Sequence, residues 1–165
     1  MSLPVLLRPA AFAAALAFAP SAFAQPAEPL VSSLTAMVVS RDALGQEILA
    51  PVAEAAPGDV VEYQINYTNV SPASISGVVI TGPIPDSMSY VADSALAPGG
   101  DRLEVSIDNG ESWEREPVRR LRQDAQGRTV EVVVPAAEYT HVRWVDAAPI
   151  HPSQSIQYKY RARVN

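Results

Sequence analysis

The chain has 165 residues, with 12 lysines and arginines against 18 aspartates and glutamates, a net charge of −6 and no cysteine. An acidic balance of this kind argues against a nucleic-acid ligand, whose phosphates must be met by clustered cations. The cysteine count excludes disulfides, thiol nucleophiles, thiolate metal sites and a lipidated cysteine anchor.

The first element is a targeting segment. Arg8 precedes a short apolar run from Ala10 to Ala19, and Ala22-Phe23-Ala24 follows as an A-x-A site. That pattern predicts a secretory signal peptide over 1–24, cleaved after Ala24. The run is too short for an ordinary spanning helix, so no membrane span is expected after cleavage. Residues 1–24 carry Arg8 and no acid, so their removal shifts the net charge from −6 to −7. What remains fits one domain with a workable core and a short arm. The expected destination is the periplasm, the cell surface or the exterior.

Residues 25–56 are expected to form an N-terminal arm. Its start, Gln25 to Pro29, has two prolines and no period. Leu34 to Ser40 reads as a first strand or edge arm, and Ile48-Leu49 as a strand fragment. Pro57-Gly58-Asp59 makes a strong turn and opens the domain proper, 57–165. Val61, Tyr63, Ile65 and Tyr67 then alternate with Glu62, Gln64 and Asn66, which predicts a half-buried strand with the second set wetted. Asn69 is expected to satisfy backbone groups where that strand ends.

Further short strands follow around Val78 to Ile80, Met88 to Val91 and Leu103 to Ile107, the last ending at the hairpin pair Asn109-Gly110. Glu114 to Arg128 is rich in charge and reads as a long loop or frayed hairpin. Strands resume at Thr129 to Val134 and Tyr139 to Val145. In the closing segment Ile156, Tyr158, Tyr160, Ala162 and Val164 alternate with polar residues up to the terminus, so no anchoring tail is expected. Seven to eight short antiparallel strands punctuated by Pro, Gly and Asn define an all-β chain, a sandwich in preference to a small barrel.

The order of these features resembles the bacterial conserved repeat domain of unknown function. Gly58, Asp59, Tyr63, Asn69, Val78, Ile80, Pro83, Pro85, Met88 and Tyr90 fall on its pattern. So do "VSIDNGESW" and the Trp144 strand with its closing strand, giving a match over about Pro57 to Val164. Gly82 departs from it, since the family often has Asp before the Pro-x-Pro turn, and a single copy stands here where the family is often in tandem. The resemblance implies an immunoglobulin-like β-sandwich in a secreted or cell-surface protein.

No catalytic constellation stands out, and no cofactor is implied. His141, Asp146 and His151 form a weak metal set, and Asp108 to Glu111 a loop too short for a calcium hand. The tyrosines lie on apolar strand faces and read as core, as do Trp113 and Trp144. The one charge anomaly is Arg115, Arg119, Arg120, Arg122 and Arg128, a patch suited to an anionic polymer or an acidic partner. The expected role is a non-enzymatic envelope or extracellular module that binds a protein or itself, with the Val31–Ser40 arm adding to a neighbour's sheet. A glycan- or anionic-polymer-binding module is the alternative.

Overall fold

The computed structural model describes residues 28–165 apart from 97, 99, 146 and 147. The expected signal segment and Asp146 lie outside the described residues. Ten strands make up the described chain: β1 (Leu30–Arg41), β2 (Glu47–Pro51), β3 (Val60–Asn69), β4 (Val79–Pro83), β5 (Met88–Tyr90), β6 (Arg102–Ser106), β7 (Arg119–Gln123), β8 (Thr129–Val133), β9 (His141–Val145) and β10 (Ser155–Val164). They pair antiparallel in a five-stranded sheet ordered β2-β1-β3-β10-β5, a three-stranded sheet β4-β9-β6, and a separate hairpin β7-β8. The molecule is all-β and sandwich-like. Its strands outnumber the seven to eight expected, chiefly because the arginine-rich stretch contains a real strand, β7.

The boundary drawn at residue 57 does not correspond to a break in the sheet. β1 pairs with β3 residue by residue, from Leu30 opposite Asn69 to Val39 opposite Val60. The Asp42 carboxylate accepts the N–H groups of Leu44 and Gln46 at 2.8 Å, and this turn folds β2 back on β1. The Pro/Ala-rich stretch that resembles a linker is the connection from β2 to β3. Residues 31–40 are therefore an integral strand of their own domain, not a detached arm.

The core lies between the two larger sheets. Ile65, Tyr158, Tyr160 and Ala162 from one meet Ile80, Val105, Val142 and Trp144 from the other, all buried. Trp144 packs on Tyr158 and Tyr160 at ring distances of 5.3 and 6.1 Å, and Tyr63 stacks on Tyr160 at 5.0 Å. These offset and tilted contacts suit aromatic quadrupoles. The Tyr160 hydroxyl donates to the Pro83 carbonyl at 2.7 Å, which lays its ring along β4. There Gly82 leaves the needed room, for a Cβ on it would stand 2.6 Å from Tyr160 Cε1.

Asn69 does the work expected of it. It is fully buried, donates through Nδ2 to the carbonyls of Ala73 and Ile150, and accepts from the Ser71 backbone through Oδ1. Asn109 and Gly110 both take positive φ, 58° and 87°, as a tight Asn-Gly turn requires.

A five-stranded sheet over a three-stranded one leaves an overhang. Leu34 and Ile48 lie on the core-side face of β1 and β2, yet are 63% and 46% exposed.

Candidate interaction surfaces

Four of the five patch arginines fall on the β7-β8 hairpin or its turn, and each already holds a carboxylate. Arg119 pairs with Glu131 at 3.1 Å, Arg122 with Glu138 at 2.6 Å and Arg128 with Asp124 at 2.7 Å, and Arg120 forks onto Glu114. The Arg122–Glu138 pair ties the hairpin to the 3-10 turn at Ala136–Glu138. Exposed pairs like these add little stability, about 0–1 kcal/mol each, but they compensate the local positive field. Arg115 lies apart, exposed, beside Arg102 and Asp93. The sequence shows the cations. It does not show that Glu114, Glu131 and Glu138 lie across from them.

The outer face of the large sheet holds a charge cluster that the alternation pattern hides. Glu62 was expected to be wetted, but it is only 4% exposed. Its carboxylate accepts from Gln64 Nε2 at 2.8 Å and from Arg161 Nε at 3.0 Å, with Lys159 Nζ at 3.7 Å. Arg161 reaches on to Glu47 of β2, at 3.1 and 2.9 Å. Burial pushes the Glu62 carboxyl up, but the hydrogen bonds from Gln64 and Arg161 and the charges of Arg161 and Lys159 outweigh it and hold it below its ordinary value. One arginine thus fastens strands that stand at positions one, three and four of the sheet. Gln157 extends the polar layer to Asn66 at 2.9 Å. Among the described residues no aromatic ring lies on this face, because Tyr63, Tyr67, Tyr158 and Tyr160 all point inward with Val61.

A cleft of about 370 Å³ opens beside the hairpin, lined by Asp93, Glu116, Pro117, Val134 and Tyr139 among others. The Tyr90 hydroxyl, pushed up by burial, donates to Glu116 at 3.5 Å and accepts the Ala95 N–H at 3.3 Å. Burial first, and then the charge of Asp93, hold the Glu116 carboxyl above its ordinary value. Among the described residues, no serine or histidine lines the cleft. A carboxyl raised in the folded state gives stability that is complete below the ordinary carboxylate range and is lost as pH rises through the folded value. Glu116→Gln is therefore expected to raise the melting temperature at neutral pH and to leave it unchanged at about pH 3. Thermal melts at the two pH values check this, and a variant less stable at neutral pH would contradict it.

The remaining polar candidates are engaged in local structure. His141 Nδ1 meets Thr140 Oγ1 at 3.1 Å, while His151 Nδ1 meets Ser74 Oγ at 3.0 Å. Trp113, expected in the core, is half-buried over Arg143, 4.3 Å from its guanidinium, on the outer side of β9. Asp108 is a turn organiser. The hydroxyl and N–H of Ser112 and the hydroxyl of Ser106 bond its carboxylate and hold it down to about 2. Among the described residues, no three histidine or acidic side chains converge as metal ligands.

The edges of the sheets differ sharply. Natural edges are blunted by charge, proline or brevity. β2 has five residues, including Glu47 and Pro51, and β5 has three. β4 ends in Pro83. β6 carries Arg102 and Glu104, and its Val105 is paired with Glu114. β7 and β8 carry Arg119, Arg120, Arg122 and Glu131. β1 is different. From Leu30 to Ser40 it has neither charge nor proline, and β2 covers only Met37 to Arg41. The Val52 N–H reaches Ala36 O at 3.1 Å and ends that cover. Pro29 O accepts the Val70 N–H on the β3 side, so the alternate residues Leu30, Ser32 and Leu34 turn their N–H and C=O groups outward. No described residue pairs with those outward groups.

No family model, curated protein or solved structure matches the chain. Among the described residues, no helix is long and apolar enough to cross a membrane.

Proposed function

We propose that this chain is a non-enzymatic, exported structural or protein-interaction module of the bacterial envelope or cell exterior, an immunoglobulin-like sandwich of the conserved-repeat type. The observation that carries the reading is the unguarded edge of β1. It offers backbone hydrogen-bonding groups flanked by exposed Val31 and Leu34, whereas the outermost strands of the sheets are short or carry charge or proline. Strand addition at such an edge is a common mode of protein recognition. The polar clusters support the same view, since Glu62, Arg161, Asp108 and Asn69 hold strands and turns in place. A glycan- or anionic-polymer-binding role draws no comparable support, because four of the five patch arginines are compensated and the strand tyrosines face the core.

The test is cross-linking of intact cells that make the full chain. The expected result is an exported chain beginning at Gln25, lighter than the 17.6 kDa of the full 165 residues, that shifts into species well above the mass of a single chain. A chain that stays inside the cell, or is monomeric both in place and when purified, overturns the proposal.

A further inference from the structure

We infer that the partner at this edge is a second copy of the same chain, joined antiparallel about a two-fold axis through Ser32. The inference rests on the interaction-module reading and names its partner. The residues whose backbone groups turn outward read Leu30, Ser32, Leu34, the same in both directions. A two-fold interface requires that self-complementarity. Centred on Ser32, the pairing sets Leu30 against Leu34 of the second copy, Ser32 against Ser32, and Leu34 against Leu30. Each is a hydrogen-bonded pair, so about six inter-chain bonds form and no outward group in the run is left over.

The neighbouring register does worse. Centred on Ser33, it sets Leu30 against Ala36, whose carbonyl already holds the Val52 N–H. A register shifted by one residue would place the core-side face of one copy beside the outer face of the other. The Ser32 register also fits the space available, because β2 begins opposite Met37 and the chain bends at Pro29. Five residues can pair, and the two five-stranded sheets become one. Leu34, 63% exposed in the single chain, gains an apolar neighbour. The contact segment bears no charge, so the acidic chains meet where their repulsion is weakest.

The natural chain has no cysteine, which makes single-cysteine variants of the mature protein clean probes. Residues in a hydrogen-bonded antiparallel pair have Cα atoms about 5.5 Å apart, within disulfide range. Under mild oxidation, Ser32→Cys is expected to give about tenfold more covalent dimer than Thr129→Cys, which lies on the hairpin. Ser32→Pro removes an N–H that has no described partner and leaves the β1–β3 ladder whole. It is expected to be folded by circular dichroism and monomeric in sedimentation at ~100 μM, whereas Ser32→Ala stays dimeric. Wild-type protein that is monomeric at that concentration, or Ser32→Cys that cross-links no better than Thr129→Cys, overturns the inference. If higher-mass species still form in cells in that case, only the identity of the partner falls. If they do not, the interaction-module reading falls with it.

Discussion

Replacing Gly82 with alanine is expected to destabilise the domain by about 1–3 kcal/mol, the cost of forcing extra volume into a packed core. The new Cβ would stand 2.6 Å from Tyr160 Cε1 and 3.1 Å from its Cζ. The ring has nowhere easy to go. It stacks on Tyr63, lies against Trp144 and is held at its hydroxyl by the Pro83 carbonyl. The backbone of Gly82 is outside the left-handed region, so the cost is steric and not conformational. Aspartate should do worse. It adds a desolvated charge of several kcal/mol to the same collision, enough to unfold a domain of ordinary stability. Chemical denaturation of Gly82→Ala, alone and with Tyr160→Leu, tests the mechanism. The penalty should nearly vanish in the Tyr160→Leu background, with a coupling of about 1–3 kcal/mol. An equal penalty in both backgrounds would remove Tyr160 as its cause.

Gly82 marks the limit of what is legible in the sequence. The strands β3 and β10 are evident from alternation because each presents one face to a core and one to solvent, and their tyrosines stand where the period places them. The turn residues Asn69, Asp108 and Asn109-Gly110 are legible for the same reason, since their chemistry acts within a few positions of chain. What the sequence obscures is contact between distant segments. Gly82 in an apparent turn carries no sign that Tyr160 lies over it. β7 looks like a loop because arginines dominate it, and a strand becomes visible only when its carboxylate partners are known. Residues 30–41 look detached because a Pro/Ala-rich stretch follows β2, although their own pattern is that of a strand.

The candidate surfaces divide along the same line. The arginine patch is conspicuous in sequence and largely compensated in space. The β1 edge is inconspicuous because its signal lies in what a strand pairs with. Its uncharged run can be read from the sequence. Its availability depends on where β2 stops, which only the fold decides.

Glu62 is the clearest case of a residue whose environment reverses its pattern, and replacing it with alanine is expected to cost about 2–4 kcal/mol at neutral pH. Removing one partner of a buried ion pair usually costs about 3–5 kcal/mol. The lower range applies here because the Arg161 side chain stays 27% exposed and keeps Glu47. The pH dependence separates charge from packing. The folded Glu62 carboxyl lies below its ordinary value, so its contribution is complete above the ordinary carboxylate range and is lost as pH falls through the folded value. Glu47, Glu104 and Asp108 are also depressed, and the wild-type protein should therefore weaken in acid for several reasons at once. The difference between wild type and Glu62→Ala cancels those shared terms. It should be largest near pH 7 and shrink steadily in acid, with Glu62→Gln falling between the two. A gap that stays constant with pH would mean that the residue acts through packing alone. Because Arg161 links Glu62 to Glu47, the same substitution should speed hydrogen exchange in β2 more than in β9, which has no part in the cluster. That result would identify the outer-face cluster as the fastening that holds β2, and with it the end of the open β1 edge, in register.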